Sequence, residues 1–135
     1  MTQGEMHNAI ASRLQTLVVS PQSLAVEWPN VTGFKRPEGA IWARVTFLGR
    51  DARQIEIGTP AKRFRVEGTA EVQIFGPIDK GEAPTVALAT IIVKNFRAVH
   101  AAGITYRTPG IYVLGRVGDW FQVNVSIPWY AEDTN

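Results

Sequence analysis

Two histidines, His7 and His100, and a scatter of carboxylates are the residues of this 135-residue chain with the most obvious chemical potential. A metal centre needs several ligands brought together, typically three or four from His, Cys, Asp and Glu. His7 and His100 fall on two different expected helices, with no acidic pattern beside either. His100 reads better as a helix-end residue, where its cation would favour the helix dipole. There is no cysteine, so disulfides, thiolate metal sites and thiolate nucleophiles are all excluded. No Gly-x-Ser-x-Gly elbow presents a serine. Glu67 and Glu71 share one face of an expected strand, where four residues separate them by roughly 13 Å. Paired glycosidase carboxylates lie at about 5–9.5 Å. Asp79-Lys80-Gly81-Glu82 lacks the Gly-Lys-Ser/Thr ending of a phosphate loop. These patterns point to no catalytic residue, no metal site and no cofactor, and the chain reads as a non-enzyme.

The positive pattern is one of charge. Basic residues crowd the middle of the chain at Arg44, Arg50, Arg53, Lys62, Arg63 and Arg65, and the acids Glu67 and Glu71 follow. One reading is an ordinary solvated face. The other is a subunit contact, basic at one strand end and acidic at the other. Such a gradient can meet a rotated copy of itself in a heterologous interface that closes into a ring. Trp42 and Trp129 join this expected subunit or tube interface as aromatics outside the expected core, a class enriched at interfaces. Trp42 could equally cap the second face of the core.

The elements that would position these residues follow from periodicity. Met6, Ile10, Leu14 and Leu17 predict an amphipathic first helix, ended by Pro21. Strands are expected over 23–28 and 41–48, with a turn at Gly49-Arg50-Asp51, a short edge strand over 54–57 and a break at Gly58-Thr59-Pro60. Arg63 to Phe75 alternates without interruption for thirteen residues. Typical strands have about five or six, so this one must bend at Gly68 or project beyond the body. A second helix begins near Pro84 and carries its apolar stripe to His100, with Gly103 as its stop. Three strands close the chain over 104–107, 111–114 and 120–130. The Val117-Gly118-Asp119 turn makes the last two a hairpin. The fold class is α+β: a mixed, largely antiparallel sheet with two helices packed on one face.

The length fits one domain over residues 1–135. Apolar residues make up 45% and charged residues 19%, which is ordinary globular composition rather than that of a disordered chain. The net charge of +2 is too small to argue for nucleic-acid binding by itself. The first residues carry no signal-peptide pattern, and no apolar run approaches the roughly 20 residues of a membrane span.

Several phrases in this order resemble the tail terminator, or tail completion, proteins of long-tailed bacteriophages. An N-terminal helix over 5–17 precedes Trp28-Pro29-Asn30. The long segment from Arg63 to Phe75 leads into a Gly-Pro loop and a helix. The chain closes on Gly118-Asp119-Trp120-Phe121-Gln122-Val123-Asn124-Val125-Ser126-Ile127 and Trp129-Tyr130. The resemblance covers nearly the whole chain and implies a virion structural protein without catalytic residues. It implies a hexameric homo-oligomeric ring that caps the head-proximal end of the tail tube and stops its polymerisation. The implied partners are the major tail tube protein and the head–tail connector or head completion protein. Genome DNA would pass through the lumen without sequence-specific binding, and no membrane is involved. Assembly would take place in the host cytoplasm. The alternatives are another head–tail joining or tail tube protein, or a small non-catalytic binding module. The interface residues above rest on charge and aromatic pattern alone.

Overall fold

Thr2 opens helix α1 (Gln3–Leu14) with a capping box. The Glu5 backbone N–H donates to Thr2 Oγ1 at 3.2 Å, and the Thr2 N–H donates to Glu5 Oε1 at 3.0 Å. Two N-terminal donors are thereby satisfied, and the bonds to Thr2 hold the Glu5 carboxyl below the usual carboxylate range. The helix does not stop at Pro21 as the sequence predicts. It continues through a π-helical segment (Gln15–Val19) into a final turn, α2 (Ser20–Gln22), and ends where Ser23 takes a positive φ of 50°. The reason lies in the proline itself, which lacks an N–H and crowds the carbonyl four residues back. The wider turn, marked by the Ser20 N–H bonding to the Gln15 carbonyl, admits Pro21 without breaking the helix.

The computed structural model describes residues 1–54 and 63–134, with backbone alone for 50–54 and 134. Lys62, the expected strand beyond Gln54 and the Gly58-Thr59-Pro60 break lie outside the described residues. The strands are β1 (Ala25–Glu27), β2 (Trp42–Gln54), β3 (Arg63–Pro77), β4 (His100–Ala101), β5 (Ile104–Tyr106), β6 (Gly110–Val117) and β7 (Trp120–Thr134). They form a seven-stranded sheet in the order β1-β2-β3-β7-β5-β4, with β6 also paired to β7. Among the described strands only the β1–β2 pair is parallel. The fold is therefore α+β with a mixed, largely antiparallel sheet, as the sequence predicts.

Gly49-Arg50-Asp51 is not the expected turn. The β2 strand runs on through it with a bulge: Leu48 pairs with Thr69 and Asp51 with Glu67, so Gly49 and Arg50 together face Gly68 alone. The irregularity expected at Gly68 thus resides in its neighbour. Helix α3 (Ala83–Phe96) also ends before its predicted stop. Arg97 is extended and Ala98 has φ 53°. His100 is consequently a strand residue, with its Nδ1 2.7 Å from Thr105 Oγ1. The pairing of His100 with Thr105 and of Ala101 with Ile104 outweighs helical propensity. Ala102 and Gly103, with φ of 51° and 79°, supply the paired positive φ angles that a two-residue hairpin turn requires.

One face of the sheet carries both helices. Ala43, Val45, Val66, Ala70, Val72, Ile74, Val123, Val125, Ile127 and Ala131 are buried there against Met6, Ile10, Leu14 and Val18 of the first helix and Leu88, Ile92 and Phe96 of α3. Each fully buried large aliphatic side chain contributes roughly 1.5–3 kcal/mol relative to exposure. The helices thus commit this face to stability and leave the opposite face for other work.

Candidate assembly surface

The face of the sheet opposite the helices receives every second residue of β2, β3 and β7. At one end it is closed by aromatics. Trp42 stacks on Phe75 at 4.3 Å between ring centroids and meets Trp120 edge-on at 5.8 Å. Phe34 from the loop between β1 and β2 lies 5.4 Å away, and the guanidiniums of Arg36 and Arg44 lie over the indole at 5.2 and 5.5 Å. Trp42 is 1% exposed. It caps the second face of the core, the alternative open to it in the sequence, and offers no surface to a partner.

Trp129 is likewise buried within the chain, at 2% exposure. It lies on the helix-covered face above Gly68, with the His7 ring edge-on at 6.0 Å. Strand parity could have found this, since 121, 123, 125, 127 and 129 all fall on one face. Pro128 obscures the signal because proline usually breaks a ladder. Both tryptophans are therefore corrected from interface residues to packing residues.

Part of the expected charge stripe is paired within the chain. Arg44 Nε donates to Glu27 Oε1 at 2.5 Å, and Arg63 meets Glu132 diagonally across the ladder. Glu67 accepts from Arg107 at 2.7 Å, and Glu71 from the Ser126 hydroxyl at 2.9 Å. The Arg65 and Arg107 guanidiniums both lie over the Tyr130 ring, at 4.5 and 5.0 Å. Arg50 and Arg53 belong to β2, with Arg53 in register with Arg65. Arg44, Arg63 and Glu67 thus sit in local ion pairs between partly exposed groups, whereas Arg65 lies over Tyr130 with its Nε buried and without a hydrogen-bond partner. Such pairs contribute about 0–1 kcal/mol each, so they can be exchanged for equivalent bonds to another surface at little cost.

A second surface was missed in the sequence. Along β6, Ile111, Tyr112, Val113 and Leu114 are 37%, 57%, 52% and 49% exposed, and Val117 is 46% exposed. Among the described residues this strand bonds to β7 alone. Four consecutive apolar residues without polar alternation were the available signal. A strand in that setting ordinarily has both faces covered.

Elsewhere, a groove of about 650 Å³ runs between α1 and the β4–β5 hairpin, lined by Met1, Ala9, Arg13, Leu17 and Tyr106 among others. Arg13 is already engaged there, donating from Nε and Nη2 to the Asn95 carbonyl at 3.0 and 2.6 Å. Burial pushes the Tyr106 hydroxyl up to about 12, against the opposing effect of Arg13. No three His, Asp or Glu side chains converge as a metal site among the described residues. No described helix is long and apolar enough to cross a membrane.

A family model described as "Phage tail terminator protein" matches residues 5–129. One solved structure, of a protein that carries no descriptive name, superposes with a TM-score of 0.72 at 18% identity, covering 97% of this chain and 96% of that one. That likeness is one of fold. No curated protein matches the chain.

Proposed function

From the premise that the chain belongs to the phage tail terminator family, and so is a structural component of the virion tail, we propose that it acts as one domain over residues 1–135 that closes the tail tube. Copies assemble into a hexameric ring at the head-proximal end of the tube. The ring ends tube polymerisation and offers its other side to the head–tail connector or head completion protein. Genome DNA passes through the lumen without sequence-specific contacts, and assembly takes place in the host cytoplasm. The observation that carries this reading is the family match across residues 5–129. The exposed apolar stretch of β6 and the exchangeable charges on the open face support it, because both are features that a partner surface would use.

The test is a tube-length assay. Purified tail tube protein is polymerised with and without this chain, and the products are measured by electron microscopy. Tubes should stop growing when the chain is present, with a ring at one end. Tubes of unchanged length and bare ends at saturating chain would overturn the reading.

A further inference from the structure

The geometry points to a specific joint between copies: the outer edge of β6 in one protomer pairs with the outer edge of β2, at Val45 to Leu48, in the next. This rests on the ring reading above and says how such a ring is held together.

The argument begins with the two ends of the sheet. Among the described residues strand β6 bonds to β7 alone, so alternate N–H and C=O groups along its eight residues point away from the sheet. Proteins usually blunt such an edge with lysine, proline, a bulge or a covering loop. Residues 110–115 are Gly-Ile-Tyr-Val-Leu-Gly and carry no charge and no proline. The charged Arg116 and a bulge between Val113 and Gly115 protect the far end of the strand, and they leave Ile111 to Val113 uncharged and in regular pairing.

The opposite end of the sheet has a matching gap. Strand β1 pairs with β2 only at Trp42, Ala43 and Arg44. Beyond Glu27 the chain leaves β2, and clefts of about 380 and 330 Å³ open on the two sides of Trp28-Pro29. One reaches Val45 and Thr46, and the other reaches Phe47. Val31 on the rim is 58% exposed and Leu48 is 49% exposed. Residues 45–49, Val-Thr-Phe-Leu-Gly, are again free of charge. The stretches 110–115 and 45–49 are therefore both uncharged and mostly apolar.

Strand direction makes the two edges compatible. Strands β2, β3, β7 and β6 alternate in direction, each antiparallel to the one before. The β6 strand therefore runs opposite to β2. When a neighbouring copy is placed so that its β2 follows β6, the antiparallel alternation continues unbroken across the joint. The contact is heterologous, and repetition with a constant rotation closes a ring. Main-chain bonds would supply affinity, and alternate side chains such as Tyr112 and Leu48 would supply fit.

The absence of cysteine makes cross-linking a clean test. Leu48→Cys and Tyr112→Cys are combined in one chain at two exposed positions, and each is also made alone. Rings formed at high concentration, on their own or on tail tubes, are treated with a short thiol cross-linker that tolerates the diagonal spacing of about 7–8 Å. The double variant should give a covalent ladder that ends at the ring number, and neither single variant should cross-link. Val113→Lys, checked for native circular dichroism, should raise the concentration needed for rings by about tenfold or more. Rings that form normally without a ladder would overturn this joint and leave the ring reading standing. A covalent dimer from Tyr112→Cys alone would show β6 pairing with itself and would also overturn the joint. A chain that stays monomeric and uncross-linked with or without tubes would overturn both.

Discussion

Gly68 and Trp129 stand directly opposite each other across the β3–β7 ladder, and a Cβ on Gly68 would come within 2.7 Å of the indole Cζ2. The glycine is required by the ring that covers it. That ring is in turn braced by His7, which stacks on Phe47 at 4.2 Å with the planes 8° apart. The first helix, β2, β3 and β7 thus meet at one aromatic site.

Gly68→Ala should destabilise the protein by about 1–3 kcal/mol through overpacking against a rigid ring. Trp129→Phe leaves no polar group unpaired, because the Trp129 Nε1 has no hydrogen-bond partner and is buried. The smaller ring should relieve part of the clash. A double-mutant cycle by urea denaturation should therefore show the two substitutions to be coupled, and simple additivity would contradict the contact.

The same site predicts a pH dependence. Burial between Phe47 and Trp129 lowers the His7 pKa, so the unfolded chain takes up its proton first as pH falls. The stability linked to His7 is complete above the ordinary value near 6.5 and declines as pH drops below it towards the lower folded value. Urea midpoints measured between pH 7.5 and 5.5 should fall with pH, and His7→Phe should reduce that slope. An unchanged slope in the variant would assign the dependence to other groups.

Trp42 and Tyr112 should separate folding from assembly. Trp42→Ala removes a buried ring and should cost about 3–5 kcal/mol of protomer stability. Tyr112→Ser removes an exposed one and should change protomer stability by no more than about 0.5 kcal/mol, while weakening ring formation. Thermal melts of dilute protomer and native mass spectra at high concentration check the two halves.

On the open face, Arg65→Glu should leave the protomer folded and impair assembly. It reverses charge beside Glu67 and removes the cation from over the Tyr130 ring. Circular dichroism should match the parent, and tails assembled with the variant should be defective. Normal tails would exclude the charge stripe from the subunit contact.

Much of this architecture was legible in the sequence because period-2 and period-3.6 patterns are direct traces of burial. The alternation from Arg63 to Phe75 located β3, and Met6, Ile10 and Leu14 located α1. The failures share a cause, which is that local signals were overruled by distant partners. Pro21 reads as a stop until the π turn accommodates it. Gly49-Arg50-Asp51 reads as a turn until β3 draws it into a bulge. His100 reads as helical until Thr105 pairs with it. Alternation put Arg63, Arg65, Glu67 and Glu71 on one face of β3, but Glu27, Arg107 and Glu132 lie on other elements. Their pairing with the stripe could not be foreseen from spacing. The β6 edge was visible in composition, yet no periodicity distinguishes a strand that is bare from one that is buried on both sides.

The position of β7 in the sheet has a consequence for the order of events during synthesis. This strand bonds to β3, β5 and β6, and a ribosome delivers it after all three. Pairs such as Val72 with Val125 join distant parts of the chain, a topology that folds slowly. Until β7 emerges, β3 lacks one neighbour and β6 lacks the one strand it pairs with among the described residues. The edge that would recruit another copy is therefore built in the same step that completes the sheet, so a nascent chain cannot offer it before the protomer is whole.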